Sequence, residues 1–232
     1  SLSERLPGNG TVQAALVQQL FASSRNDEAY AVLQQMSRSG TNRNAAADIW
    51  YQQVKNIPIS DASVQALQRF LTVFTEGESV AAARTQLAEQ QRQLADPAFR
   101  ARAEGLAAVD AGQGGRAINE LQQAVKADGS DSEAIGALGL AYSQRGDRAR
   151  AVTQLQKAIA TAPDSPNRGT WESMLQVNRY WLLIEQGDAA LKANDTASAE
   201  RKYQQARSVD NTDSYAVLGL GDVAVARKDD AA

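Results

Sequence analysis

The feature that most constrains this fold is a spacing of 34 residues that recurs along the chain. The glycine pairs at this spacing are Gly105 with Gly139 and Gly187 with Gly221. The clearest copy, Ser132–Ser165, contains two short helical patterns around a turn at Gly146 and closes at Pro163. Glycine gives a tight turn its backbone freedom, and proline cannot continue a helix. The spacing therefore predicts a series of helix–turn–helix units.

Small residues recur in each unit where its two helices should cross. In the central copy these are Gly139, Ala151 and Ala158, and Tyr142 fills the space beside them. The matching residues in the other copies are Gly105 and Ala117, Gly187 and Ala199, and Gly221. Larger side chains would force the helices apart. This pattern is the signature of the tetratricopeptide repeat, so we predict an all-α superhelical solenoid of such repeats with extra non-repeat helices.

The repeat pattern also predicts how the chain is divided. We expect the end of a preceding repeat plus two degenerate units in 1–77, an unpaired linker helix in 78–97, two well-formed units in 98–165, an insertion or hinge in 166–179, and one unit plus the first helix of another in 180–232. The insertion follows from the distance between Gly139 and Gly187, which is 48 residues, or one repeat plus 14.

Turn and cap residues predict several element boundaries in the irregular parts. Asn26-Asp27 is expected at a turn, and Ser60 or Asp61 is expected to cap a helix that ends at Gly77. Ser79 is expected to cap the linker helix. Thr170 is expected to cap a helix that runs to Lys192, with the insertion forming either extra turns or a separate short helix.

The two ends of the sequence suggest a piece of a longer array. Pro7 falls where Pro163 closes the central copy, so Ser1–Gly10 is expected to end an earlier repeat. The last helical pattern, from Ser214, has no second helix to cover it, and solenoid ends normally carry polar caps. We expect this end to make artificial contacts.

Composition limits the chemistry. The chain of 232 residues contains no Cys and no His, so thiol nucleophiles, imidazole bases and Cys or His metal ligands have no residues to supply them. The net charge of −3 is spread evenly, which favours neither nucleic acid nor a membrane surface as partner. Acidic pairs such as Asp229-Asp230 are expected on solvated helix ends, which argues against a pair of catalytic carboxylates. We expect no catalytic residues, no cofactor and no metal.

In arrays of this kind the first helices line a concave groove, and their exposed positions are the candidate binding residues. These are Phe99, Arg102, Glu133, Gln144, Trp181, Asp188, Lys192, Tyr215 and Asp222. A clamp for a peptide carboxylate needs Lys and Asn at groove positions five and nine of adjacent units. The central copy has Gly136 and Leu140 there, so such a clamp is not expected.

The aromatic residues have two interpretations. Trp181 and Tyr215 could stack on sugar rings, because an aromatic face combines an apolar surface with polar edges. The interpretation we favour is that both are packing residues. Trp50, Tyr142 and Tyr203 occupy structural positions and are expected in the core.

Five stretches outside the repeat consensus carry a further resemblance. They are SDASVQAL (Ser60–Leu67), ESVAAA (Glu78–Ala83), QLADPAFRARAEGLAAVDAG (Gln93–Gly112), VNRYWL (Val177–Leu182) and VDNTDSYAVLGLGDVA (Val209–Ala224). In these stretches, and over nearly its whole length, the chain resembles the periplasmic tetratricopeptide-repeat region of the cellulose synthase operon protein C family, the outer-membrane export subunits of bacterial cellulose secretion.

The resemblance implies a location and a role. It implies a secreted protein with a periplasmic solenoid and a C-terminal β-barrel that anchors it in the outer membrane. The solenoid would link the inner-membrane synthase to the pore and help to guide the glucan, with other cellulose synthase subunits or envelope proteins as partners. The alternative is a general adaptor that binds a peptide or helix of another envelope protein. The low aromatic content, 6%, favours an adaptor over direct glucan binding.

Overall fold

The computed structural model describes residues 10–38, 40 and 42–227, and these contain twelve α-helices and no strand. The helices are α1 (Gly10–Ala22), α2 (Asn26–Ser37), α3 (Arg43–Val54), α4 (Asp61–Val73), α5 (Glu78–Leu94), α6 (Pro97–Asp110), α7 (Gly114–Ala127), α8 (Ser132–Gln144), α9 (Arg148–Thr161), α10 (Arg168–Lys192), α11 (Thr196–Val209) and α12 (Tyr215–Ala226). They form two compact units, Ser1–Ala103 and Glu104–Ala232. The predicted all-α repeat fold is confirmed.

The first unit is built around an aromatic core. Trp50 of α3 meets Phe74 edge to face at 5.7 Å, and Phe70 lies 5.1 Å from Phe74. Each of the three side chains is at most 1% exposed. Leu33 and Leu67 are fully buried in the same cluster. The predicted core position of Trp50 is confirmed.

Helix α5 is not unpaired, so that part of the prediction for 78–97 was wrong. It packs against α3 and α4, and buries Val80 and Ala83 in the core of the first unit. A buried hydrogen bond of 2.8 Å joins Ser63 Oγ to Gln90 Oε1. The Ser79 hydroxyl, expected to cap α5, instead donates to Asp48 Oδ1 at 2.6 Å. Hydrogen bonds from polar side chains therefore help the narrow apolar stripe to hold α5 against α3 and α4.

Other boundaries in the first unit differ from the expected ones. The turn lies at Ser23–Arg25, where Ser24 has a φ of 58°, and Asn26 begins α2. Gly77 does not end α4; it precedes α5 with a φ of 113°, a conformation that suits glycine. Ser60 does cap α4, because its side chain accepts from the Ser63 N–H. Pro7 and Asp229-Asp230 lie outside the described residues.

The second unit contains the predicted repeat crossings. A Cβ on Gly105 would lie 2.5 Å from Leu121, and one on Gly139 would lie 2.7 Å from Leu155. In the same way, Gly187 lies against the ring of Tyr203. The structural positions Ala117, Tyr142, Ala151, Ala158 and Ala199 are all buried. Gly221 differs, because it has open space where a Cβ would be placed.

Helix α10 contains 25 residues and resolves the two alternatives for the insertion in favour of extra turns. Thr170 lies inside its first turn instead of capping it. The first half contacts α8: the indole of Trp171 covers Gly136, and Asn178 Nδ2 donates to Ser143 Oγ at 2.9 Å. The second half contacts α11 and α12. The role of the insertion as a hinge stays a prediction.

The repeats before and after α10 pack against different parts of this long helix, so they are shifted along its axis. The helical part of the insertion, residues 168–179, lengthens α10 by about 18 Å at 1.5 Å per residue. Helices α11 and α12 therefore pack against α10 further along its axis than α8 and α9 do. We call this displacement the step.

Candidate functional site: a groove on α10 and α12

Two parallel stripes of side chains, one on α10 and one on α12, form the candidate site. The members of this groove face are Trp181, Asp188 and Lys192 of α10 and Tyr215, Leu218, Asp222 and Val225 of α12. Residues three, four and seven apart share one face of a helix. The rings of Trp181 and Tyr215 lie 5.1 Å apart, so the two stripes meet at this end.

Trp181 is held on several sides. Its ring meets Tyr180 edge to face at 5.3 Å and Tyr215 at 5.1 Å. The guanidinium carbon of Arg148 lies 5.7 Å from the ring centroid, and Arg148 Nε also donates to Glu185 Oε1 at 2.5 Å. Trp181 is half-buried, whereas Tyr215 is 56% exposed. Tyr215 is therefore the accessible side chain of the pair, and Trp181 packs against it.

A small cavity of about 420 Å³ adjoins this aromatic pair. It is lined by Tyr180 and Trp181 and by the carboxylates of Asp210 and Asp213. The Tyr180 hydroxyl donates to Asp213 Oδ1 at 2.7 Å, and the Tyr215 N–H donates to the same oxygen at 2.8 Å. Burial, followed by the hydrogen bond to Asp213, raises the pKa of Tyr180 to about 12. Tyr180 therefore stays neutral and fixes the start of α12.

Tyr203 lies beneath the middle of the groove face. Its ring is inserted between Gly187 of α10 and Gly219 of α12, and a Cβ on either glycine would lie within 2.6 Å of it. Its hydroxyl donates to Asp188 Oδ1 at 2.7 Å. Burial raises the pKa of Tyr203, and the carboxylates of Asp188 and Asp222 raise it further. Both carboxylates of the groove face thus lie near one buried hydroxyl, and Tyr203 is a core residue as predicted.

The α12 stripe exposes an unusual amount of apolar surface. Tyr215, Leu218 and Val225 are 56%, 61% and 78% exposed. Their spacing of three and seven residues aligns them on one face with Asp222 between them. Contiguous exposed apolar surface bordered by polar groups marks interaction sites. This stripe is the part of the groove face best suited to contact a partner.

The groove positions of α8 are covered by the chain itself. Gly136 lies under Trp171, Ser143 is bonded to Asn178, and Leu140 packs against the cluster that contains Trp171. Two predicted groove residues of α8, Glu133 and Gln144, remain exposed. Gln144 Nε2 donates to the backbone oxygen of Val109 at 2.9 Å. Side chains of α10 therefore cover the middle groove positions of α8, while Glu133 and Gln144 near its ends stay accessible.

Phe99 and Arg102, the two candidates on α6, belong to the first unit. Both are half-buried. Their role in binding stays a prediction, as do the roles of the other groove residues.

Neither a metal site nor a membrane span is found among the described residues. In 10–38, 40 and 42–227, no group of three or more acidic side chains could hold a metal ion. No helix in the same ranges is long and apolar enough to cross a bilayer.

Three contributors to this region were not anticipated from the sequence. They are Arg148 above Trp181, Asn178 between α10 and α8, and Trp171 over Gly136. Trp171 and Asn178 are seven residues apart, so the helical spacing could have indicated that they share one face. Nothing local indicates Arg148, because its contact with Trp181 joins α9 to α10.

The chain matches the tetratricopeptide repeat family over residues 102–166 and 184–232. It is 71% identical over 214 residues to cellulose synthase operon protein C of Salmonella typhimurium, and 65% identical over 214 residues to that of Escherichia coli strain K12. Each match covers 92% of this chain, which spans 18% of the length of either relative. A solved structure, the flexible tandem repeat domain of the C subunit of bacterial cellulose synthase, is 60% identical with a TM-score of 0.40, covering 41% of this chain and 39% of that one.

Proposed function

Because this chain is a tetratricopeptide-repeat protein closely related to one stretch of cellulose synthase operon protein C, we propose that it is a non-catalytic periplasmic scaffold of the bacterial cellulose secretion machinery. It would link the inner-membrane synthase to the outer-membrane pore, and it would help to guide the glucan by holding these partners in position. The supporting observation is the identity of 65–71% across 92% of the chain.

The groove face is the proposed contact surface of this scaffold. Its exposed apolar residues, Tyr215, Leu218 and Val225, can be buried by a partner, and Asp188 and Asp222 can pair with basic side chains. Repeat arrays bind ligands along extended surfaces of this type. Mechanically, rigid helices would hold these side chains at a fixed spacing, so that a partner segment docks without reorganising the scaffold.

A more general alternative is an adaptor that binds a peptide or helix of another envelope protein. The groove face favours a protein partner over a glucan, because the ring of Trp181 is already engaged by Tyr180, Tyr215 and Arg148. A sugar ring stacks on an accessible aromatic face. On the groove face, the accessible aromatic surface comes mainly from Tyr215.

The scaffold role is tested in a cell whose cellulose secretion depends on the full-length protein. Leu218→Lys places a charge in the middle of the apolar stripe, and we expect secreted cellulose to fall while the amount of the protein is unchanged. Asn211→Lys, the same charge on an exposed loop residue, is the matched control. Equal secretion by both variants would count against the groove face as the contact surface.

The choice between protein and glucan is tested by NMR titration with a soluble cello-oligosaccharide. We expect no clustered shifts at millimolar sugar, since the half-buried ring of Trp181 is already contacted by Tyr180, Tyr215 and Arg148. Shifts confined to Trp181, Tyr215 and their neighbours would instead make the groove a glucan guide.

A further inference from the structure

A cleft of the second unit lies at the step, and it shares Gln176 and Val209 with the cavity beside Trp181. It has a volume of about 640 Å³. Its floor is formed by Arg179, Leu182 and Leu183 of α10, and its walls by Val152 of α9 and by Gln205 and Val209 of α11. We call it the step cleft.

The step explains why this cleft exists. The apolar side chains of α9 pack against the first half of α10, and Arg148 at the start of α9 reaches Trp181 and Glu185 in the second half. Helix α11 packs against the second half. Because these two contact regions are displaced by about 18 Å, the start of α9 and the end of α11 flank the middle turns of α10 without covering them. The side chains of those turns are therefore left accessible between two helices.

The cleft combines an apolar floor with the positive charge of Arg179 in its lining and of Lys202 beside it. Leu182, Leu183, Val152 and Val209 are all only half-buried. Arg179 is exposed and makes no ion pair with any residue that the structure describes. Lys202 lies one turn from Gln205 on the same face of α11 and has no acidic partner within 10–38, 40 and 42–227. Arg148, at the start of α9, already pairs with Glu185.

We propose that the step cleft docks an acidic amphipathic helix of a partner protein. Leucine-type side chains of that helix would fill the apolar floor, and its carboxylates would pair with Arg179 and Lys202. Arginine binds carboxylates with two parallel hydrogen bonds, which gives the pairing geometric specificity. A glucan fits less well, because no aromatic side chain lines the cleft. The proposal goes beyond the scaffold function and does not depend on the groove face.

The test uses two synthetic amphipathic peptides with the same leucine stripe, one carrying glutamates and the other lysines on the flanking positions. Binding to the chain is measured by fluorescence anisotropy. We expect the glutamate peptide to bind and Arg179→Glu to weaken it by about tenfold or more, as for the loss of a charge-assisted pair. Arg207→Glu, the same charge change at an exposed α11 residue outside the lining, should leave binding unchanged.

A charge swap makes the outcome decisive. We expect Arg179→Glu to bind the lysine peptide better than the unaltered chain does, while Leu218→Lys on the groove face leaves glutamate-peptide binding unchanged. Equal binding of both peptides, loss of binding in Arg207→Glu, or displacement of the peptide by cello-oligosaccharide would overturn the proposal. If Leu218→Lys lowers cellulose secretion but Arg179→Glu does not weaken the peptide, the scaffold function stands and the step cleft proposal fails.

Discussion

Single glycines decide how closely the helices of this chain approach each other. Gly136 is covered by the buried indole of Trp171, whereas Gly221 has open space around it. We expect Gly136→Ala to lower the free energy of unfolding by about 1–3 kcal/mol, because the indole must shift. Gly221→Ala should raise it by up to about 1 kcal/mol, since alanine favours a helix. Urea denaturation of both variants checks this, and destabilisation of equal size would contradict the α8–α10 contact.

The raised pKa of Tyr180 makes the stability of the chain depend on pH at high pH. This pKa is about 12 in the folded chain against 10.0 for a free tyrosine. The unfolded chain therefore loses its proton first, so the stability that Tyr180 contributes is complete below pH 10 and is lost as pH rises through 12. We expect Tyr180 to contribute a fall of roughly 2–3 kcal/mol in the free energy of unfolding across this window, in addition to the fall that Tyr203 contributes because its pKa is also raised. Tyr180→Phe should reduce the fall, whereas Tyr215→Phe should keep it; an identical fall in both would argue against the buried bond to Asp213.

At the scale of elements, the hydrogen bond between Ser63 and Gln90 ties α5 to α4. Gln90→Ala removes this bond while the Ser63 hydroxyl keeps its hydrogen bonds with the backbone of Ser60, and we expect a loss of about 0.5–1.5 kcal/mol in the free energy of unfolding. Adding Ser63→Ala should cost less than the sum of the single changes, because the interaction is lost only once. Gln91→Ala, on the exposed face, is the control. Additive effects in the double-mutant cycle would show that α5 is not held by this bond.

The elements that follow the repeat pattern could be predicted from the sequence. The elements whose packing depends on contacts between distant residues could not. The crossings at Gly105, Gly139 and Gly187 were predicted because small residues recur at a fixed spacing. The packing of α5 was missed, since its polar bonds join residues about 30 apart and leave no periodic signal. The groove was predicted to include the middle of α8. Its covering by Trp171 depends on α10 continuing straight through the insertion.

At the scale of the whole molecule, the two units have separate cores, and each has its own tryptophan reporters. Trp50 lies in the core of the first unit, while Trp171 and Trp181 lie in the second. In repeat proteins stability is a sum of local terms, so a core deletion acts most strongly on its own neighbourhood. A reporter in one core should therefore respond mainly to changes in that core.

Two deletions of equal chemistry test this locality. Leu67 and Leu155 are both fully buried, one in each unit, and Leu→Ala at either site should cost about 2–5 kcal/mol. When Trp171 and Trp181 are replaced by Phe, Trp50 reports on the first unit. We then expect Leu67→Ala to lower the urea midpoint more than Leu155→Ala does. When Trp50 is replaced by Phe, Trp171 and Trp181 report on the second unit, and we expect Leu155→Ala to lower the midpoint more. The same shift from both reporters for both deletions would mean that the chain unfolds as one cooperative block, because each local loss would then be shared by every helix.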